Sequence, residues 1–182
     1  MIRRLVLQSI GMLALMTALT GVAYPLLVTG VAQTAFPKQA RGDVTLIGQE
    51  FESPKYFWGR LSATAPGPYN AGASTGSNLG PTNEQRNKNA EARIEALRKA
   101  DPDAPAIVPI DLITSSGSGL DPHISPEAAA YQVHRVARAR GLSEDRVRAL
   151  VRENTSDRQL GILGEPTVNV LSLNRALDRT AS

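Results

Sequence analysis

A single transmembrane helix carrying one mixed α/β domain is the fold class that the sequence predicts, and three observations predict it. An uncharged run of 33 residues extends from Leu5 to Pro37. Beyond it, short β-patterned stretches alternate with stretches of helical period, which indicates a mixed layer rather than a bundle or a sandwich. There are no cysteines among the 182 residues, so neither a disulfide framework nor a thiolate metal site organises the chain. The expected division is an anchor over 1–37, spanning about 5–27, and an extracytoplasmic domain over 38–182, long enough to bury a core without disulfides.

The anchor comes first. Leu5 to Tyr24 is 20 residues, and at ~1.5 Å per residue this is ~30 Å, the thickness of the hydrocarbon core. A lone segment in lipid satisfies its backbone groups only as a helix. Pro25 is expected to kink or end the first stretch, and Tyr24 suits the interface. A cleaved signal peptide is the alternative, but its apolar region is typically only about 7–15 residues. Arg3 and Arg4 precede the run, against Lys38 and Arg41 partly offset by Asp43 on the far side. The nearer flank usually dominates, which predicts the amino terminus in the cytoplasm and the domain outside. Gly11, Ala14, Ala18 and Gly21, spaced by three, four and three, form a small-residue stripe and a candidate face for a partner helix.

In the domain, Val44–Phe51 reads as a strand with a glycine kink, and Tyr56–Leu61 as an apolar-aromatic patch. A loop rich in Gly, Ser, Asn and Pro covers Pro66–Pro81 and is long enough to indicate function. Ala90, Ile94 and Leu97 mark a helix over Asn83–Ala100, stopped by Pro102. Ile107–Thr114 reads as a strand, with Pro109 pointing to an edge or a bulge. Ser125, Pro126 and Glu127 supply cap, first position and first-turn acid for a helix to about Arg140, where Gly141 stops it. Ser143 caps a third helix through about Glu153. Thr167–Val170 alternates like a strand, and a short helix follows near Leu173–Leu177.

Charge and motifs exclude several functions. Without Arg3 and Arg4 there remain 18 basic and 17 acidic residues, too balanced to attract phosphate backbones, and the few aromatics give no stacking platform, so nucleic acid is not expected as a partner. The lysines, 38, 55, 88 and 99, never follow glycine, which removes the P-loop, and no Asp-Lys-Thr-Gly run offers a phosphorylated aspartate. His123 and His134 lack zinc spacing, so no metal site is expected. Asp121 beside His123 is the one pair open to catalysis, as in a membrane-anchored extracytoplasmic enzyme, though a histidine just ahead of a helix start is more often a turn residue. Ser116–Gly119 could cradle an anion with backbone N–H groups, yet it lacks a lysine and precedes Asp121. Arg135, Arg138, Arg146, Arg148 and Arg152 read as a solvated basic face. No residue is assigned a catalytic role; the candidate functional positions are Asn70, Ser77, Asn78, Ser116, Ser118, Asp121 and His123.

The two long loops also carry a family likeness. Tyr69-Asn-Ala-Gly-Ala-Ser-Thr-Gly-Ser-Asn-Leu-Gly-Pro81 and Ser116-Gly-Ser-Gly-Leu-Asp-Pro-His-Ile-Ser-Pro126 closely resemble two stretches of the C subunit of the Kdp-type potassium-transporting ATPase. Tyr131-Gln-Val133, Arg135-Val-Ala137, Ala139-Arg-Gly-Leu142 and Val168-Asn-Val-Leu171 follow in family order. Departures are small: Leu61 where the family has Pro, Thr75 for Gly and Ser115 for Ala. The resemblance implies an inner-membrane complex for high-affinity potassium uptake, with a potassium-conducting subunit and a P-type ATPase subunit as partners. In it this chain would be an accessory without a cofactor of its own. The family is often described as a catalytic chaperone that raises the ATP affinity of the pump subunit, so ATP is implied by resemblance alone. An extracytoplasmic domain, by contrast, lies where ATP is scarce.

Overall fold

The computed structural model describes residues 2–37 and 44–180. Lys38, Arg41 and Asp43, the far flank in the orientation argument, lie outside the described residues. The chain divides into two compact units between Val44 and Thr45.

The first unit is one continuous apolar helix: α1 (Ile2–Ala18), a π turn (Leu19–Ala23) and α2 (Tyr24–Ala35). It is long and apolar enough to cross a membrane, and its large side chains, among them Leu5, Leu13 and Leu26, are exposed. Pro25 neither ends nor breaks it, contrary to the sequence expectation. A proline in a helix lacks its own N–H and collides with the carbonyl four residues back. Here the widened turn takes up that conflict, with the Tyr24 N–H donating to Leu19 O, and helical geometry continues for ten residues past the proline. Thr20 and Thr34 turn their hydroxyls onto Met16 O and Gly30 O, which satisfies both within the helix. Gly11, Ala14 and Ala18 share α1, and Gly21 falls in the π turn that follows it.

The second unit packs helices α3 (Glu84–Ala100), α5 (Pro126–Arg140), α6 (Glu144–Glu153) and α7 (Val170–Thr180) around a small antiparallel sheet. A one-turn helix α4 (Ile110–Ile113) precedes it. The sheet has the order β1 (His123–Ile124), β3 (Thr167–Asn169), β2 (Thr155–Ser156), with Ile124 and Thr155 both opposite Val168. The central helix α5 starts where Ser125 Oγ accepts from Ala128 N at 3.0 Å and ends at Gly141 with φ 65°. It buries Ala128, Val133, Val136 and Ala137 against Leu97, Val147, Val168, Leu173 and Leu177.

Two expected strands are absent. Val44–Leu46 forms a 3-10 turn and residues 47–51 are irregular, because Gly48 donates its N–H to Leu120 O at 2.8 Å and lies flat against the Tyr69 ring. Ile110–Ile113 is helical because Pro109 opens a turn, with Leu112 N reaching Pro109 O, and Asp111 uses it to accept from Ser125 N at 2.7 Å. Phe57–Trp58 is extended and buried but pairs with side chains in place of a strand. Asn174 on α7 accepts from Phe57 N at 2.8 Å and donates to Phe57 O at 3.0 Å. Gln132 on α5 does the same for Trp58, at 2.8 and 3.1 Å.

Arg135 corrects the expected basic face. It is 2% exposed, donates to Tyr56 O and Gln132 Oε1, and stacks 4.5 Å from the Trp58 ring centroid. Burial lowers its pKa to about 10. Trp58 also carries Arg93 at 5.0 Å, so two cations bound the central indole.

Candidate functional site

The two long loops, far apart in sequence, are stitched to one another. Thr75 N and Ser74 Oγ donate to Ser118 O at 3.0 and 2.9 Å. Gly76 abuts Gly117, where a Cβ would stand 2.9 Å from Gly117 O. Gly119 adopts φ 69° and leaves no space beside Thr75 O. A pair of hydroxyls underneath completes the join. Ser62 Oγ donates to Gly119 O at 2.7 Å and accepts from Tyr69 N, while Thr64 Oγ1 donates to Gly67 O and accepts from Asn70 N.

Tyr69 anchors the first loop. Its backbone is left-handed at φ 56°, its hydroxyl donates to Arg60 O at 2.6 Å, and its ring fills the room left by Gly48 and Gly59. Burial pushes its pKa up to about 12, so it remains a neutral donor. Ser62 and Thr64 did not stand out in the sequence, and Tyr69 did so only as the first residue of the long-loop motif; the doubled hydroxyl-to-backbone contacts depend on a tertiary approach that no spacing encodes.

The expected positions take different parts in this join. Asn70 caps the 3-10 turn Ala71–Ala73 through Gly72 N and ties back to Ala65 O. Ser77 lines a shallow groove against α3, and Asn78 is exposed at φ 53°. Ser116 is buried, its N–H on Leu61 O and its Oγ without a partner. Ser118 Oγ accepts from Leu120 N. The Ser116–Gly119 loop thus presents the Ser118 carbonyl to residues 74 and 75, where an anion cradle would present N–H groups.

Asp121 and His123 do meet. Asp121 Oδ1 accepts from the His123 N–H at 3.0 Å and stands 3.5 Å from its Nδ1, and Oδ2 pairs with Arg60 at 3.2 Å. Burial works to raise the carboxyl, but hydrogen bonds from the His123 side chain and backbone and the Arg60 charge outweigh it and hold the pKa below the ordinary value. The far nitrogen of His123 lies 3.4 Å from Asn169 Nδ2, an amide and not a nucleophile. This is a turn clamp: among the described residues, the recorded partner of that nitrogen is the amide and not a hydroxyl, as a triad would need. Asp101, Asp103 and His134 gather on α3, the turn after it and α5. There Arg138 sits 3.6 and 3.5 Å from the two carboxylates, so a guanidinium already balances that charge.

Fold and site together define a class: a chain with one helix, among the described residues, long and apolar enough to span a membrane, and a mixed α/β domain whose two long loops brace one another. Its family is K+-transporting ATPase, c chain (KdpC), whose model matches residues 6–179. The potassium-transporting ATPase KdpC subunit of Sorangium cellulosum is 59% identical, covering 92% of this chain and 93% of that one. The subunit of the same name from Herpetosiphon aurantiacus is 54% identical over 96% and 95%, and that from Methylococcus capsulatus 58% over 92% and 93%. The chain belongs to the KdpC family.

Proposed function

We propose that this chain is the accessory subunit of an ATP-driven, high-affinity potassium uptake complex of the inner membrane. It acts beside a potassium-conducting subunit and a P-type ATPase subunit and serves their assembly and activity. The observation that carries this is a family match running from the apolar helix through α7, on a domain whose Asp121–His123 pair faces an amide. The helix anchors the chain with its amino terminus in the cytoplasm and its domain outside, following Arg3 and Arg4. Gly11, Ala14, Ala18 and Gly21 let a helix of another subunit approach closely. Raising the ATP affinity of the pump subunit is the finer role, supported by the resemblance alone.

The test is recovery of the other two subunits with the tagged chain in mild detergent, alongside potassium-limited growth. Wild type should retrieve both. Ala18→Leu, which overpacks a tight helix contact by about 1–3 kcal/mol, should weaken recovery without preventing insertion. The purified chain alone should show no ATP turnover; turnover that disappears in Asp121→Ala would instead support an enzyme built on Asp121 and His123.

A further inference from the structure

The loop joining β2 to β3 stands out on the surface. Leu160, Ile162 and Leu163 are 88%, 75% and 54% exposed, a run of large apolar side chains that the chain's own core does not use. It is also firmly shaped. Gln159 and Leu163 exchange backbone hydrogen bonds, both 2.9 Å. Arg158 pairs with Glu165 at 2.6 Å across the base, and β2 and β3 continue the pairing below. Leu160, a non-glycine residue, is held left-handed at φ 54°, beside Gly161 at 76° and Gly164 at 77°. A β-carbon in that conformation is disfavoured, so the turn presents these side chains outward against a local preference.

Where the loop returns to β3, it forms one wall of a cleft of about 470 Å³. Glu165 and Pro166 line that wall, and Ile110, 66% exposed, lines the opposite one. The cleft is acidic: Asp111, Asp121, Glu127 and Glu165 face it, against Arg60 and His123. Glu127 has no ion-pair or hydrogen-bond partner among the described residues. Surface elements that enter lipid carry lysine and arginine for anionic headgroups. This loop has only Arg158, already paired with Glu165, and the acids beside it would repel such a surface.

We infer that the Leu160–Leu163 tip and the acidic cleft at its base form one docking surface for another protein subunit. The partner segment offers an apolar recess for the tip and a lysine or arginine for the cleft. This rests on the proposed role inside a multi-subunit complex.

The test co-expresses the tagged full chain with the potassium-conducting and pump subunits. Two independent variants are compared with wild type: Leu160→Ser with Ile162→Ser, which removes the apolar tip, and Glu127→Lys, which reverses the cleft charge and leaves the tip intact. Leu160 and Ile162 are exposed, so their double variant should unfold with wild type. Glu127 is also the first-turn acid of α5, so Glu127→Lys should lower the transition slightly, and Glu127→Gln, run beside it, should unfold closer to wild type and still lose recovery. Recovery should fall at least about fivefold for each, as for anchor residues of an interface. A photo-cross-linking residue at 160 should form an adduct with one of the other subunits. Wild-type recovery from both variants, or an adduct with lipid only, overturns the docking surface while leaving the accessory role intact. Failure of wild type to retrieve any subunit overturns the accessory role and the docking surface with it.

Discussion

Gly119 holds φ 69°, and a β-carbon there would lie 2.5 Å from Thr64 Cγ2 and 2.6 Å from Thr75 O. Gly119→Ala therefore meets both a disfavoured backbone and a filled space, and urea unfolding should show a loss of about 2–5 kcal/mol. A variant as stable as wild type would mean the loops do not depend on this contact. Asp121 makes a different prediction. Its folded pKa is held below the ordinary carboxylate value, so its contribution is present above that value and is lost as pH falls through the depressed one. Asp121→Asn should lie below wild type in Tm at pH 7, and the gap should narrow on acidification below about pH 4; a constant gap down to pH 3 counts against the clamp. Single residues were the hardest scale to foresee. Arg135 shares a helix with the exposed Arg138, and the approach of Trp58 and Gln132 turns it inward.

Helices were legible where caps agree with periodicity. Ser125, Gly141 and Ser143 stand where a chain must start or stop its backbone hydrogen bonding, and the boundaries of α5 and α6 follow them. Among the strands Thr167–Val170 was legible and forms β3 (Thr167–Asn169), whereas β1 and β2, two residues each, carry too short an alternation, and Val44–Phe51 has the composition of a strand but spends its backbone on Leu120. Phe57–Trp58 shows what replaces pairing in this domain. Asn174→Leu keeps the volume but leaves Phe57 N and O buried without partners, which should cost about 2–5 kcal/mol by urea unfolding. An unchanged midpoint would show that the amide is dispensable. Of the candidate site, the two loops were legible as a composition, and their mutual bracing was not, because it runs through Ser62, Thr64 and Tyr69.

At the scale of the whole molecule, the proposed orientation puts the domain on the outer side of the membrane. With Arg3 and Arg4 as the near flank, a protease added to intact spheroplasts should cut within Pro66–Pro81. Cutting only after lysis would reverse the topology. Family membership was readable from the loops as a resemblance, and the match over residues 6–179 extends it to nearly the whole chain.

The bond between Phe57 and Asn174 joins positions 117 apart, and this has a consequence for biosynthesis. At roughly 5–20 residues per second, the ribosome needs about 6–24 s between the two residues. Throughout that interval Phe57 lacks the amide that pairs with its N–H and C=O in the folded domain. The domain therefore closes late in synthesis, and a chain that stays open this long can be passed across a membrane as an unfolded thread.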